Sequence, residues 1–445
     1  MPLPSIGEML SGSVAKRLLR GVATQGYNQL ATIGLQLLSA PILLHAWGVE
    51  LYASWLLLTV LPTYLTLSDL GFAQASTNDM TVRSAAGNHE GALATFQSAI
   101  LLCLSVAGVI VTLCVGLALV APIHDWLNLR AINTRDATFA VMLLGCYGGL
   151  SVVSGALSGP YRAEGRFALL GAAETTARAA EAGTVMLLAL SGGGLVSAAF
   201  GMLCVNAVLV SGKAAFLPAP YRLGVTHARR AEIRRLIAPS LSFMAYPVGY
   251  ALVLQGALLL IGIYSPAGVV VFATARTLTR MGSSALGMIN HVFMYDYGRT
   301  LSRADRSFFT LFKLNGSVIA FGLLLYLPAM LLIGPWVYRI WTGGVLLIPA
   351  SMFLALTLAA AAEAIWAYLQ TPLIAVNAHK SVALNFLVGA VTCTTLSAVL
   401  LSHDSRVADM VFLQALMFCA LSVLIAFEIR RRVTTLYAAP AEAAS

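Results

Sequence analysis

Charge is what this sequence has least of. Only 10% of its 445 residues are Asp, Glu, Lys or Arg, against about 25% in an ordinary soluble domain. A soluble chain of this length could not cover its surface with so few. The 59% hydrophobic content and the mean hydropathy of +0.84 point the same way. Cysteine is also scarce. The six (Cys103, Cys114, Cys146, Cys204, Cys393 and Cys419) fall inside apolar stretches without metal-ligand spacing, and they read as small packing residues. No phosphate-binding glycine loop, zinc spacing or nucleophile motif occurs. No connection is long enough to fold alone, and the longest expected outer loop is 121–136. Residues 1 to 20 carry Glu8, Lys16, Arg17 and Arg20 without a continuous apolar core, so the first span reads as a retained signal-anchor.

What is present is a series of apolar runs of roughly 20 residues or more, the length a helix needs to cross hydrocarbon. They do not alternate as barrel strands do. The expected fold is an all-α polytopic membrane protein of about twelve transmembrane helices, in two pseudo-symmetric six-helix lobes around a central cavity. The first lobe, 22–217, holds spans near 22–44, 52–72, 94–120, 137–158, 169–190 and 195–217. The second, 239–427, holds spans near 239–263, 267–293, 307–333, 349–371, 382–401 and 408–427. A segment 1–21, a basic loop 218–238 and a tail 428–445 complete the chain.

With the N-terminus inside, inner segments hold 19 of the 27 Lys and Arg residues and outer loops hold 4. This asymmetry places both termini in the cytoplasm. It also reads the net charge of +9 as topology and not as a nucleic-acid signal. Lys213 is counted here with the inner charges. Arg229, Arg230, Arg234 and Arg235 are expected on a short interfacial helix facing anionic headgroups. A faint internal echo, Gln36, Gly48 and Tyr52 against Gln255, Gly268 and Phe272, suits two parallel repeats.

Charges inside spans must face a cavity or a partner, because each costs several kcal/mol at the bilayer centre. Four are cations: Arg178, Arg276, Arg280 and Lys313. Glu174, Glu181 and Glu363 are acids, and Asp69 sits near an inner end. Glu174, Arg178 and Glu181 share one helix face by their i, i+4, i+7 spacing; an internal ion-pair ladder and a cavity lining are equally open. Arg276 and Arg280 lie one turn apart, Arg276 roughly 13 Å from the outer end at 1.5 Å per residue. Two stacked guanidiniums suit a phosphate, and this reading is preferred over pairing with Glu363 or the fifth-span acids. Lys313 is close enough to the inner end to snorkel. Asp69 suits a cap or gate contact as well as ion coupling. A carboxyl at depth can take up a proton or a cation, which makes Glu363, Glu174, Glu181 and Asp69 the coupling candidates. Asn28, Gln36, Gln255 and His291 line the cavity or bridge helices.

The stretches Pro41 to Leu58, Leu67 to Phe72 and Gly87 to Gly91, with Tyr161 to Arg166 and Arg276 to Arg280, resemble the Wzx-type polysaccharide flippases of the multidrug/oligosaccharidyl-lipid/polysaccharide superfamily. The resemblance spans nearly the whole chain. It departs at Val292 to Gly298, where many relatives carry a Pro-Glu-like element. It implies an undecaprenyl-pyrophosphate-linked oligosaccharide as substrate, moved from the inner to the outer leaflet of a bacterial inner membrane by alternating access. It implies no cofactor, a proton or sodium gradient as driving force, and membrane lipids and polysaccharide assembly machinery as partners. The four span cations, Arg276, Arg280, Arg178 and Lys313, would bind the substrate. A multidrug or toxic-cation antiporter of the same superfamily is the nearest alternative, but its cavity should be acidic. A membrane glycosyltransferase or polymerase would need larger outer loops, and a scaffold would not need buried charge.

Overall fold

The computed structural model describes the backbone of residues 12–129, 131–302, 305–376, 378, 380–403 and 406–442. It describes their side chains except at 12–26, 66–70, 238, 239, 241–243, 266, 291, 295, 299, 302 and 432–442. Regular structure among these residues is helical throughout. The chain forms two compact units, Met1–Met244 and Ala245–Ser445.

The first unit begins with α1, Gly12–Ala85, which is two helical arms interrupted at Gly48. Gly48 has φ 70° and ψ −178°, a backbone conformation that only glycine adopts cheaply. The arms contain Pro41 and Pro62. The next helices are α2 (His89–Val120), α3 (Thr134–Ala163), α4 (Phe167–Leu190) and α5 (Leu195–Ala215). Asn88 starts α2 by accepting the Gly91 N–H at 2.9 Å, and Asn133 starts α3 by accepting the Asp136 N–H at 2.7 Å. Such caps satisfy orphan amides of the first turn. At Gly145, α3 rides so close to α2 that an added Cβ would lie 2.5 Å from Cys114 Cβ. Met80, Phe96, Ile100, Cys103, Cys114, Val152 and Leu157 pack beneath these helices.

Helix α6 (Arg230–Ala251) carries the chain out of the first unit. A π-helical turn, Leu252–Gly256, joins it to α7 (Ala257–Tyr264). The second unit continues with α8 (Pro266–Ser302), α9 (Ser307–Leu332), the short α10 (Gly334–Trp341), α11 (Ala350–Ala375), α12 (Lys380–Ser402) and α13 (Val407–Glu442). Its core is aromatic: Trp366 packs 4.7 Å from Phe386 and 5.4 Å from Phe418, with Tyr250 4.9 Å from Phe386.

Nine stretches of described residues are long and apolar enough to cross a membrane. Three further helical stretches among the described residues have the length of a crossing, as the expected twelve require. The second arm of α1 is merged with the first in that count, and α4 and α8 are diluted by the very charges that matter below. Leucines and valines of α2, among them Leu104, Val109, Leu113, Leu117 and Val120, are exposed, as a lipid-facing helix requires. Helices in lipid associate by close packing and polar contacts more than by hydrophobic burial. The chain is a polytopic α-helical membrane protein.

The connection before α6 is held to the first unit. Gln97, 1% exposed, accepts the His227 N–H at 2.7 Å and donates to the Arg222 carbonyl, while Ser98 Oγ accepts the Arg229 N–H at 2.9 Å. The basic run belongs to α6 itself, which starts at Arg230 and continues into the span, so it is not a separate interfacial helix. Arg235 does not point to headgroups alone: both its terminal nitrogens reach Asp79 at 2.7 Å, and it also pairs with Glu232. Arg83 completes the cluster, 3.0 Å from Asp79 and 2.9 Å from Glu232. Burial alone would raise the Asp79 pKa, but hydrogen bonds from Arg235 and Thr95 and the two guanidinium charges outweigh it and hold the group below its ordinary value. Arg235 is correspondingly raised by its bonds to Asp79 and Glu232.

Candidate functional site

In the first unit, the three charged residues of α4 face different partners. Glu174 accepts from Lys213 of α5 at 2.8 Å and from Ser158 of α3 at 2.9 Å, both at Oε1. Lys213 is 6% exposed, and its ammonium also donates to Ser154 Oγ and Ser158 Oγ at 2.9 Å each. Tyr161 bonds the Lys213 carbonyl at 2.9 Å. Glu181 accepts from the Tyr147 hydroxyl of α3 at 3.0 Å. Arg178 donates to Thr175 Oγ at 3.0 Å, and Thr175 in turn donates to Asn28 of α1 at 2.5 Å.

The ion-pair ladder along α4 is therefore not formed as such: the partner of Glu174 is Lys213, on another helix. Lys213 is thus an interior group and not one of the inner topology charges, which reduces that group by one. Its place inside the apolar run 195–217 was the signal that it belongs to the interior. Arg178 is exposed on α4, with no carboxylate within 4 Å among the described residues.

Beside Glu174 lies a cavity of about 880 Å³. The second arm of α1 lines it with Gln74, Thr77, Asn78 and Thr81, the first arm with Asn28, and the α3–α4 corner with Arg162, Phe167 and Glu174.

In the second unit, Arg280 of α8 clasps Glu363 of α11 through both guanidinium nitrogens, at 2.5 and 2.9 Å. Of the alternatives open from sequence, Arg280 thus takes the pairing with Glu363. Arg276, one turn earlier, takes another course. Its guanidinium donates to the Leu254 carbonyl at 2.5 Å and lies 5.0 Å over the Phe272 ring. The π turn explains the first contact. Its widened spacing takes carbonyls off the regular ladder, and side chains bond them: Arg276 at Leu254 and Gln414 at Val253, 3.2 Å. Arg276 has no carboxylate within 4 Å among the described residues. A space of about 20 Å³ beside Arg276, Arg280 and Glu363 has room for about one water.

The remaining candidates scatter. Lys313 is exposed on α9, and Gln36 is exposed on α1. Gln255 is half-buried in the π turn. The side chains of Asp69 and His291 lie outside the described residues. Sequence reading missed Lys213, Arg162, the α1 stripe of Gln74, Thr77, Asn78 and Thr81, and a buried amide cluster in which Asn315 donates to Asn290 and Tyr297 at 3.1 and 3.0 Å. The stripe was visible as polar residues at helical spacing within 74–81. Among the described residues, no three His, Cys, Asp or Glu side chains come together as a metal site requires.

No protein-family model matches the chain, and none of the curated proteins matches it in sequence. Solved structures do match in fold. An inward-facing multidrug resistance MATE family transporter of the MOP superfamily is 16% identical with a TM-score of 0.70, covering 91% of this chain and 95% of that one. The lipid II flippase MurJ in an inward closed conformation is 9% identical with a TM-score of 0.74, covering 94% and 90%. An outward-facing MATE transporter matches with a TM-score of 0.62 at 13% identity, over 95% and 96%. The protein has the helical fold shared by these MATE transporter and MurJ structures.

Proposed function

We propose that this protein is a flippase that moves undecaprenyl-pyrophosphate-linked oligosaccharide from the inner to the outer leaflet of a bacterial inner membrane. The observation that carries this reading is the charge left over once internal pairs are removed. Lys213 is matched by Glu174 and Arg280 by Glu363. Among the described residues Arg178 and Arg276 have no carboxylate within 4 Å, and Glu181 is the one acid of the sequence candidates left without a cation within 4 Å. Arg178 lies near the middle of the 24-residue α4, where an exposed guanidinium must meet water or a polar ligand and not acyl chains. A membrane interior with surplus guanidinium favours an anion, and a pyrophosphate accepts their forked donors. A cation exporter would need the opposite surplus.

The polar headgroup crosses by alternating access while the polyprenyl tail stays in lipid. Lys313 and Arg280 are secondary contacts for the anion, since Lys313 is exposed and Arg280 is already engaged. Of the coupling candidates whose side chains are described, Glu181 is best placed to exchange a proton or sodium ion, because no cation lies within 4 Å of it among the described residues, unlike Glu174 and Glu363. Both termini face the cytoplasm in this reading, with assembly machinery for surface polysaccharide as the functional partner. The test is deletion of the gene. Lipid-linked oligosaccharide should accumulate in the inner leaflet and surface polysaccharide should be lost. Unchanged polysaccharide together with new sensitivity to cationic drugs would support the antiporter instead.

A further inference from the structure

The cavity of the first unit has a chemistry unlike that of the arginines. Gln74, Thr77, Asn78 and Thr81 recur at three- and four-residue spacing on the second arm of α1, so they form one amide and hydroxyl stripe down its wall. Gln74 Nε2 donates to Asn78 Oδ1 at 3.0 Å. That bond orients both amides and leaves the Gln74 carbonyl oxygen and the Asn78 amino group as an acceptor and a donor side by side. Across the cavity, Oε1 of Glu174 is taken by Lys213 and Ser158, while Oε2 has no hydrogen bond among the described residues. Phe167, 59% exposed, supplies an apolar face at the same rim. The two charged groups of the lining, Arg162 and Glu174, are of opposite sign, and Glu174 is already paired. The volume of about 880 Å³ falls in the range of small-molecule sites, about 300–1,000 Å³.

Paired amide donors and acceptors, a carboxylate oxygen and an exposed ring match vicinal hydroxyls and the apolar face of a pyranose better than they match an anion. We infer that this cavity is a sugar subsite. It takes the uncharged, polyhydroxylated headgroup of the glycolipid. Lys213 is a positioning residue: it holds Oε1 of Glu174 so that Oε2 meets the sugar. This inference rests on the proposed function and adds to it the place and chemistry of glycan recognition.

The experiment compares two lipids on the purified full-length protein in nanodiscs. One is undecaprenyl pyrophosphate; the other is the lipid-linked oligosaccharide extracted from cells lacking the gene. Asn78 and Thr81 are exposed and Gln74 is half-buried, so Asn78→Ala and Gln74→Ala leave the fold intact, which thermal unfolding checks. Each variant should bind the oligosaccharide lipid about tenfold more weakly than the wild type, the loss of one or two hydrogen bonds to a neutral ligand, and should bind undecaprenyl pyrophosphate unchanged. Wild-type affinity of both variants for the oligosaccharide lipid would overturn the sugar subsite. Equal losses for both lipids would overturn it too, by making the cavity an anion site. Failure of the wild-type protein to bind either lipid would instead overturn the proposed function. As a second readout, Phe167→Ala should weaken only the oligosaccharide lipid, and Phe167→Trp should preserve its binding.

Discussion

Lys213–Glu174 in the first unit and Arg280–Glu363 in the second are cation–carboxylate pairs inside apolar runs, and the two are built the opposite way round. In the first unit the ammonium is sealed and the acid is open: the side chains of Lys213 and Glu174 are 5% and 24% exposed. In the second the acid is sealed and the base is open, with Arg280 at 30% and Glu363 at 11%. One unit therefore presents a carboxylate edge to a cavity of amides and hydroxyls, and the other presents guanidinium. The difference also says which partner anchors each pair. The sealed member depends on the open one for the one opposite charge within 4 Å of it among the described residues.

The largest effects should come from stranding a sealed charge. Removing one member of a buried pair costs about 3–5 kcal/mol when the other is left unpaired. Arg280→Ala strands Glu363 and Glu174→Ala strands Lys213, so both should fall sharply in yield and thermal stability. The neutralised doubles, Arg280→Ala with Glu363→Gln and Glu174→Ala with Lys213→Met, should recover much of it. Removing the open member's partner is milder, so Glu363→Gln and Lys213→Met should be the better tolerated single changes. If Lys213→Met proved as damaging as Glu174→Ala, the inverted arrangement would not hold.

Function should separate from stability at the two guanidiniums that lack a carboxylate. Arg276→Ala and Arg178→Ala remove charge without breaking an ion pair within 4 Å among the described residues. They should be produced near wild-type levels, with Arg276→Ala losing about 1 kcal/mol for the Leu254 carbonyl it leaves unbonded, and both should fail to restore surface polysaccharide. Lysine should rescue only partly, since a point charge does not reproduce a planar fork. Glu181→Gln should fold and should blunt the dependence of transport on the proton or sodium gradient; full gradient dependence would exclude it as the coupling group.

The smallest effect is at the edge of the first unit. Asp79 is held below its ordinary pKa of 3.8, so its contribution to stability is present above that value and lost as pH falls through the lower, folded value. Asp79→Asn should therefore be less stable than the wild type at neutral pH by about 1 kcal/mol, discounted for its partial exposure, with the gap closing on acidification below 3.8. A gap that did not depend on pH would mean the Asp79–Arg235 contact contributes nothing through charge.

Much of the fold was legible because a span is a composition of roughly 20 residues, and composition is local. Charges at depth were equally visible, since each breaks an apolar run. What sequence could not supply was the partner. Glu174 and Arg178 stand at the spacing of an ion pair, yet Glu174 turns to Lys213, 39 residues on, because α3 and α5 bring two serine hydroxyls and an ammonium to the same place. Lys213 itself was misassigned because a lysine near the inner end of a span looks like an anchor until its environment is known. The π turn that bonds Arg276 has no sequence signature of its own. The Gln74–Thr81 stripe could have been read as a polar helix face, and it was obscured by lying beyond the expected end of its span at 72.

Reconstituted transport separates a flippase for an anionic glycolipid from a cation exporter. Proteoliposomes loaded in one leaflet with undecaprenyl-pyrophosphate-linked oligosaccharide are assayed for its appearance in the other, with the wild-type protein and Arg276→Ala. The proposed function requires flipping by the wild type, and its loss in the variant at equal reconstituted protein. Wild-type liposomes that exchange an organic cation for protons, and leave the glycolipid where it was, would contradict it.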